Sequence, residues 1–163
     1  GTNARLVQDF ENRSVRGNWG YLLSFIGGIF DRHESKAIIQ LPEKKLALEV
    51  EMVALANARM YGTGAILNPG GRLDDGQFEL CLFRPVPRHH ILKVALAFFT
   101  GGLKSSDYTT YVPTEQVSIE LSKPFPLQID GEVMGEVDKL QAELHPEKLQ
   151  VLAPQNYPEE IVN

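Results

Sequence analysis

Short runs in which apolar and polar residues alternate recur through most of the sequence, and they constrain the fold more than any other feature. In "LALEVEMVAL" (46–55), Leu46, Leu48 and Val50 fall on one face of an extended chain and Glu49 on the other, the period of two expected for a half-buried strand. Many short strands at close spacing predict a mainly β domain, a β-sandwich of short antiparallel strands. Further strands are predicted at 36–41, joined to this run by a hairpin at 42–45, and at 78–83, 116–121, 125–130, 139–144 and 148–153.

Two segments break the alternation and predict helices at the periphery of the sandwich. Residues 17–32 place apolar side chains at three- and four-residue intervals, although Gly27-Gly28 weakens the helix. Residues 88–100 repeat this spacing. The aromatic residues of both segments fit either the core or the wall of a lipid pocket, and these are Trp19, Phe25, Phe30, Phe98 and Phe99.

The size and composition of the chain are those of one globular domain or of one lobe of a larger enzyme, with 163 residues, 43% of them apolar. We expect residues 1–154 to form a single β-sandwich lobe and residues 155–163 to form a C-terminal tail. The net charge of −5 and the lack of a Lys and Arg cluster argue against nucleic-acid binding. No apolar run approaches the roughly 20 residues that span a bilayer. The single Cys81 reads as a small buried residue, which fits a reducing, cytoplasmic setting.

The connection "NARMYGTGAILNPGGRLDDGQFEL" (57–80) carries the most information about function. It holds five of the fourteen glycines and contains Asp74-Asp75 before Gly76. Taken alone it is a turn-rich connection, since Asp-Gly is a common hairpin turn. No Gly-Lys-Ser/Thr follows the glycines at the spacing of a Walker phosphate loop, and "GGLKSS" (101–106) fails the same test.

Together with "LQIDGE" (127–132) and "LQVLAP" (149–154), this connection resembles the C-terminal lobe of the bacterial lipid kinases related to diacylglycerol kinase. The family pattern runs as Asn, a glycine-rich segment, Pro, a basic residue, Leu-Asp-Asp-Gly, and then strands that end in Asp-Gly-Glu and in Leu-Val-Pro or similar. The order and spacing match over roughly residues 36–154. The resemblance implies a NAD kinase/diacylglycerol kinase-like β-sandwich and, in the full-length protein, phosphate transfer from ATP to a diacylglycerol-like lipid alcohol.

In this family ATP is bound mainly by an N-terminal lobe with a Gly-Gly-Asp-Gly-Thr loop, and that loop does not occur in this sequence. The resemblance therefore implies a lobe cut from a longer kinase. Its partner would be the kinase's own N-terminal nucleotide-binding lobe, and this chain alone would not transfer phosphate. A smaller departure is "YGTG" (61–64), where relatives more often show a run of glycines.

The resemblance places two catalytic carboxylates in the Asp-Gly-Glu motif. It implies that Asp130 accepts the proton of the lipid hydroxyl, a role that phosphoryl transfer often gives to a carboxylate. Glu132, two positions on, is expected on the same side of an extended chain, so that both acids face one cleft. The alternative for this motif is a solvated hairpin turn with two exposed acids.

The resemblance also implies a structural Mg²⁺ site in the Leu-Asp-Asp-Gly loop. Asp75 would supply a side-chain oxygen, and Arg72 and Gln77 would supply backbone carbonyls, which suits a hard ion that prefers oxygen ligands. Asp74 is the alternative ligand, and the choice between the two aspartates stays open. The four histidines lack metal-ligand spacing, which favours surface or capping roles for them.

Three functions remain open at the level of the sequence. The first is the acceptor-binding lobe of an ATP-dependent lipid kinase, the second a non-catalytic lipid-binding module, and the third a relative of NAD kinase. Because the sequence has no polybasic segment or lipidation motif, we expect a cytoplasmic protein that touches the membrane surface transiently. The sequence leaves the oligomeric state open, and a homodimer is compatible with it.

Overall fold

The computed structural model describes residues 34–61, 65–100, 106, 108–130, 132–147 and 150. Within these ranges the chain forms nine strands and one α-helix, which a short 3-10 turn at Arg88–His90 precedes. The predicted helix at 17–32 and most of the predicted strand at 148–153 lie outside the described residues. The elements are β1 Ser35–Gln40, β2 Lys45–Val50, β3 Met52–Ala56, β4 Met60–Tyr61, β5 Ala65–Ile66, β6 Phe78–Phe83, α1 Ile91–Thr100, β7 Thr109–Thr114, β8 Gln116–Ile129 and β9 Glu132–Glu143.

Two antiparallel sheets form the body of the described fold. The larger sheet has the order β2-β1-β8-β9, and the smaller has the order β3-β6-β7. A two-stranded ribbon of β4 and β5 lies within the loop between β3 and β6. The predicted hairpin at 42–45 is confirmed, since β1 and β2 pair antiparallel from Ser35 opposite Val50 to Gln40 opposite Lys45.

The core lies between the two sheets, as a sandwich requires. On the larger sheet, Ala37 and Ile39 of β1 are 1% and 0% exposed, and on the smaller sheet Leu80 and Leu82 of β6 are completely buried. These side chains belong to one apolar cluster to which both sheets contribute. The prediction of a mainly β sandwich of antiparallel strands is therefore confirmed.

Strand β6 is buried on both of its faces because the smaller sheet is covered twice. Its even-numbered residues face the sandwich core, while Cys81 and Phe83 belong to a second apolar cluster. Helix α1 packs on this second face through Val94 and Ala97. The predicted helix at 88–100 is confirmed, and it forms a third layer outside the smaller sheet.

Strands β8 and β9 form a hairpin that is longer than the rest of the larger sheet. Strand β1 pairs with β8 only over Ser118–Leu121, so the second half of β8 pairs with β9 alone. The register shifts between Glu120 and Phe125 and again between Leu127 and Gln128, and such bulges bend a strand and increase its twist. At the first bulge, Ser35 accepts a hydrogen bond from the Lys123 backbone N–H (3.1 Å), which fixes the extra residues against β1.

Three details of the predicted strand pattern are wrong. Residues 46–55 are not one strand, because the chain leaves the larger sheet after Val50 and enters the smaller sheet at Met52. The segments 116–121 and 125–130 belong to a single bulged strand. Strand β7 and the first half of β9 were not predicted at all.

Candidate functional site

The loop between β3 and β6, residues 57–77, is folded back on itself around Asn57. The carboxamide nitrogen of Asn57 donates to the backbone carbonyls of Arg72 (2.8 Å) and Gln77 (3.2 Å), with the amide orientation assigned from this hydrogen-bond network. Both carbonyls therefore point toward one centre at the end of β3. They are the two carbonyls that the sequence resemblance assigns to the metal, and the structure brings them together.

The two neighbouring aspartates of this loop make different contacts. Asp75 Oδ1 accepts a hydrogen bond from the backbone N–H of Gln77 (3.1 Å), across Gly76, whose φ of +75° is a conformation that favours glycine. Asp74 Oδ1 instead accepts from the Arg72 guanidinium (3.3 Å), and this ion pair is solvent-exposed. Asp75 is thus held against the loop backbone, while Asp74 pairs with the exposed guanidinium of Arg72.

A buried polar pair anchors the same loop to β6. The Asn68 side chain is completely buried, and its Nδ2 donates to the Glu79 carboxylate and to the carbonyl of Ala56 (3.3 Å). Burial is the largest cause that raises the pKa of Glu79, the hydrogen bond from Asn68 opposes it, and the negative charge of Asp75 raises the pKa further. The pair therefore links the loop that carries Asp75 to strand β6.

The donor set around Asn57 fits a small hard cation in its chemistry. It offers two backbone carbonyls, those of Arg72 and Gln77, and the carboxylate of Asp75 bonded to the same short segment. Oxygen ligands of this kind suit Mg²⁺, which usually keeps several waters. Among the described residues no three His, Cys, Asp or Glu side chains gather in one place, so any such site would depend on backbone oxygens.

The Asp-Gly-Glu motif forms the tip of the β8–β9 hairpin. Ile129 and Glu132 are the last pair of the ladder, so the connection between the strands spans two positions, of which Asp130 is the first. Asp130 is exposed and has a φ of 48°. This is a left-handed backbone conformation, which a type I′ hairpin turn requires at its first position. The chain therefore reverses between the two acids.

This turn corrects one part of the sequence prediction. Asp130 and Glu132 were expected on one side of an extended strand, but the left-handed turn at Asp130 breaks the period of two. Glu132 is the first residue of β9 and lies opposite Ile129. Both residues lie at the hairpin tip, and the relative direction of their side chains is set by the turn and not by strand alternation.

The two motifs leave the sandwich at opposite ends of β8. The Asp75 loop enters β6 at Phe78, which pairs with Thr114 just before β8 begins, whereas Asp130 follows the last residue of β8. A fully extended strand of this length would span roughly 40 Å, and the two bulges shorten that distance. The structure does not join the two motifs through any hydrogen bond between their acids in the described part of the chain.

One histidine of the described region, His90, makes a hydrogen bond that connects two elements of the fold. His90 Nδ1 lies 2.8 Å from the Tyr108 hydroxyl, so that a hydrogen bond ties the 3-10 turn before α1 to the start of β7. Of the aromatic residues considered for a lipid pocket, Trp19, Phe25 and Phe30 lie outside the described residues, as do the side chains of Phe98 and Phe99.

Sequence reasoning missed three residues that organise the candidate site. Asn57 entered only as the first residue of the family pattern. No role was predicted for Asn68, in an Asn-Pro-Gly-Gly turn, or for Glu79, in the predicted strand at 78–83. A charged residue in the middle of the apolar run "FELCLF" was the one available signal, because a buried carboxylate needs a partner.

Comparison with known proteins places this geometry in a family. Residues 1–153 match the family model described as the YegS C-terminal NAD kinase beta sandwich-like domain. Two relatives carry the name "Probable lipid kinase YegS-like": one from Pseudomonas aeruginosa, 25% identical over 90% of this chain and 47% of its own length, and one from Chromohalobacter salexigens, 26% identical over 72% of this chain and 37% of its own. The chain thus spans less than half the length of these relatives.

Solved structures agree on the fold. A protein described as "a putative diacylglycerol kinase from Bacillus anthracis str. Sterne" superposes with a TM-score of 0.61 at 20% identity, over 83% of this chain and 45% of that one. A second structure with a similar description gives a TM-score of 0.59 at 16% identity, over 79% and 45% of the two chains. Because the family model covers nearly the whole chain, the chain belongs to the family of YegS C-terminal, NAD kinase-like β-sandwich domains.

Proposed function

We propose that this chain is the acceptor-binding lobe of an ATP-dependent lipid kinase, which transfers phosphate to the hydroxyl of a diacylglycerol-like lipid. The observation that carries the proposal is the exposed carboxylate of Asp130 on a two-residue turn at the end of the β8–β9 hairpin. A general base must reach the hydroxyl that it deprotonates, and a tight turn on paired strands holds a carboxylate in a defined place. The names of the relatives support a lipid as the acceptor.

In the proposed reaction the lipid hydroxyl oxygen attacks the γ-phosphorus of ATP. A new P–O bond forms as the bond to the β,γ-bridging oxygen breaks, ADP leaves, and the hydroxyl proton passes to the Asp130 carboxylate. Glu132 lies two positions after this base, at the start of β9. Its proposed role is to orient the acceptor, since only one carboxylate is needed for the proton.

The proposed partner of this lobe is a nucleotide-binding lobe of the same protein. The chain covers 37–47% of the two relatives' lengths and 45% of the two related structures. ATP would be bound mainly by that partner lobe. Phosphoryl transfer depends on positioning two substrates in line, so neither lobe would suffice alone.

The proposed metal of this lobe is Mg²⁺, held by the Asp75 carboxylate and the backbone carbonyls of Arg72 and Gln77. The convergence of the two carbonyls on Asn57 supports this set, and the exposed ion pair of Asp74 with Arg72 favours Asp75 as the carboxylate ligand. When bound there, the ion would neutralise negative charge and stiffen the loop. Its distance along β8 from Asp130 gives it a structural role.

The test is phosphorylation of diacylglycerol in mixed micelles by the full-length protein. Asp130→Asn keeps the shape of the turn residue and removes the base, so kcat should fall by about 10²–10⁴-fold with little change in the KM for ATP. Glu132→Gln is the matched neighbour variant, and its kcat should fall less.

Three results would contradict the proposal. An Asp130→Asn enzyme within a few-fold of wild type would remove the base assignment. A wild-type protein that bound lipid without transferring phosphate would point to a lipid-binding module, and phosphorylation of NAD in place of a lipid would point to a NAD kinase.

A further inference from the structure

Helix α1 leaves two leucines in solvent on the face that points away from the smaller sheet. Its inner face packs on that sheet through Val94 and Ala97. Leu92 and Leu96 are 81% and 62% exposed, and residues four apart on a helix are neighbours on one face. Among the leucines that lie in a helix or strand of the described part of the chain, these two are the most exposed.

Exposed basic residues lie beside these leucines along the chain. Arg88 and His89 are exposed in the 3-10 turn that leads into α1, and Lys93 is exposed on the helix itself. The whole segment 88–104 contains no Asp or Glu, although the chain has 21 of them and a net charge of −5. The overall composition of this acidic chain does not explain a local surface that is both positively charged and apolar.

We infer that this surface docks onto an anionic lipid bilayer, with Leu92 and Leu96 entering the boundary between headgroups and acyl chains. Helices that lie in the plane of the interface combine an apolar face with Lys and Arg on its flanks, and binding increases with anionic lipid content. Arg88 and Lys93 supply the charges that face the lipid phosphates, and segment 88–104 contributes no carboxylate that would repel them. The inference rests on this surface and not on the proposed kinase activity.

A protein partner fits the same surface less well. A stable protein–protein interface buries about 800 Å² on each side around a central apolar core, far more than the two exposed leucines in the described part of α1 offer. A bilayer needs no complementary shape, and few apolar side chains together with nearby charges give weak, reversible binding. Within the described residues, the size of the patch therefore favours a lipid surface over a second copy of the chain.

Vesicle co-sedimentation of the full-length protein tests the inference. We expect binding to vesicles of phosphatidylglycerol and phosphatidylcholine, and much weaker binding to pure phosphatidylcholine. Leu92→Ser combined with Leu96→Ser should lower the partition coefficient at least tenfold. Arg88→Gln and Lys93→Gln should each lower it about fivefold on anionic vesicles.

Matched controls come from the opposite side of the fold. Leu144→Ser removes a leucine that is 38% exposed after β9, and Lys36→Gln removes an exposed charge on β1. Neither should change the partition coefficient by more than about twofold. An unchanged thermal midpoint in each variant would show that the fold is intact.

A fluorophore placed on the helix gives a second, direct readout. Cys81 is 0% exposed, and burial raises the pKa of its thiol to about 12, so it should not react under native conditions. A label on Leu92→Cys should shift to shorter emission wavelengths with anionic vesicles, and a label on Leu144→Cys should not. Three results with vesicles would each overturn the inference. The first is equal vesicle binding by wild type and the double leucine variant, the second is no binding to anionic vesicles, and the third is a label at position 92 that stays in water. A leucine variant that changes only the oligomeric state would overturn it in favour of a dimer.

Discussion

Asn68 donates a hydrogen bond from its side chain to the carboxylate of Glu79 in the interior of the lobe. The two residues are 0% and 7% exposed. If one of them is removed, water therefore does not take over its hydrogen bond to the other. The contact joins the functional loop to β6, the strand that both apolar clusters share. The position of Asp75 four residues before Glu79 thus depends on a buried polar pair.

Asn68→Ala should lower the free energy of unfolding by about 1–3 kcal/mol, because it leaves the buried carboxylate of Glu79 without its donor. Urea denaturation at neutral pH measures the change. Gln141→Ala, an exposed amide on β9, is the control and should stay within about 0.5 kcal/mol of wild type. Equal effects of the two substitutions would show that the pair contributes nothing.

Glu79→Gln should remove part of the pH dependence of stability. The pKa of Glu79 in the folded state lies above its ordinary value of 4.5, so the folded state binds its proton more tightly than the unfolded state. This contribution to the free energy of unfolding is therefore largest below 4.5 and decreases as pH rises toward the folded-state pKa. The glutamine keeps an acceptor oxygen for Asn68 and does not titrate.

The measurement is the difference in unfolding free energy between Glu79→Gln and wild type from about pH 4 to pH 7, in EDTA. The variant should gain stability relative to wild type as pH rises through this window. Parallel curves, or a difference of the opposite sign, would mean that burial does not disfavour the charged form of Glu79.

Alternation in the sequence predicted most strands but not their assignment to sheets. The apolar pattern runs unbroken through 46–55, and the switch between sheets at Glu51 depends on a contact with a distant partner, since its backbone N–H donates to the Phe83 carbonyl (2.8 Å). Strand β7 escaped prediction because "TTYVPT" contains Pro113 and three threonines. A proline is tolerated there because β7 is an edge strand.

In the candidate site, too, the sequence indicated local features but not the contacts between distant residues. Asp130 and Asp75 could be selected from the sequence because they belong to short local motifs with a fixed order, and their roles stay predictions. The contacts of Asn57 and of Asn68 could not be predicted, since each joins residues that are more than ten positions apart. The reversal at Asp130 agrees with the hairpin turn that was the alternative for this motif, since Asp-Gly is common in hairpin turns.

Gly71→Ala should destabilise the loop that carries Asp75. A Cβ at this position would lie 2.5 Å from Asn68 Nδ2 and 3.0 Å from the backbone of Ala58 and Arg59, so either the Asn68–Glu79 pair or the backbone must move. We expect a loss of about 1–3 kcal/mol in unfolding free energy. Gly70→Ala is a matched control, because its Cβ would meet nothing within 4 Å. Equal stability of the two variants would refute the close approach.

Mg²⁺ should stabilise the lobe, and Asp75→Ala should abolish this effect while Asp74→Ala retains it. A ligand that binds only the folded state adds about 2.7 kcal/mol at 100 times its Kd, which thermal unfolding in MgCl₂ and in EDTA would detect. Asp74 makes an exposed ion pair with Arg72, so its removal should cost less than about 1 kcal/mol. Loss of the Mg²⁺ effect in Asp74→Ala alone would assign the ligand to the other aspartate.

Asn57→Asp should make the stability of the lobe depend strongly on a divalent cation. In the native chain the Asn57 amide nitrogen donates to the carbonyls of Arg72 and Gln77; a carboxylate in its place would bring only oxygens together. Without metal, the repulsion and the two lost hydrogen bonds should cost about 1–3 kcal/mol. With Mg²⁺ the same oxygens become ligands, so the loss should shrink or disappear. Unfolding free energies of wild type and variant, each in EDTA and in MgCl₂, form a closed cycle, and an equal loss in both solutions would show that no cation binds where these carbonyls converge.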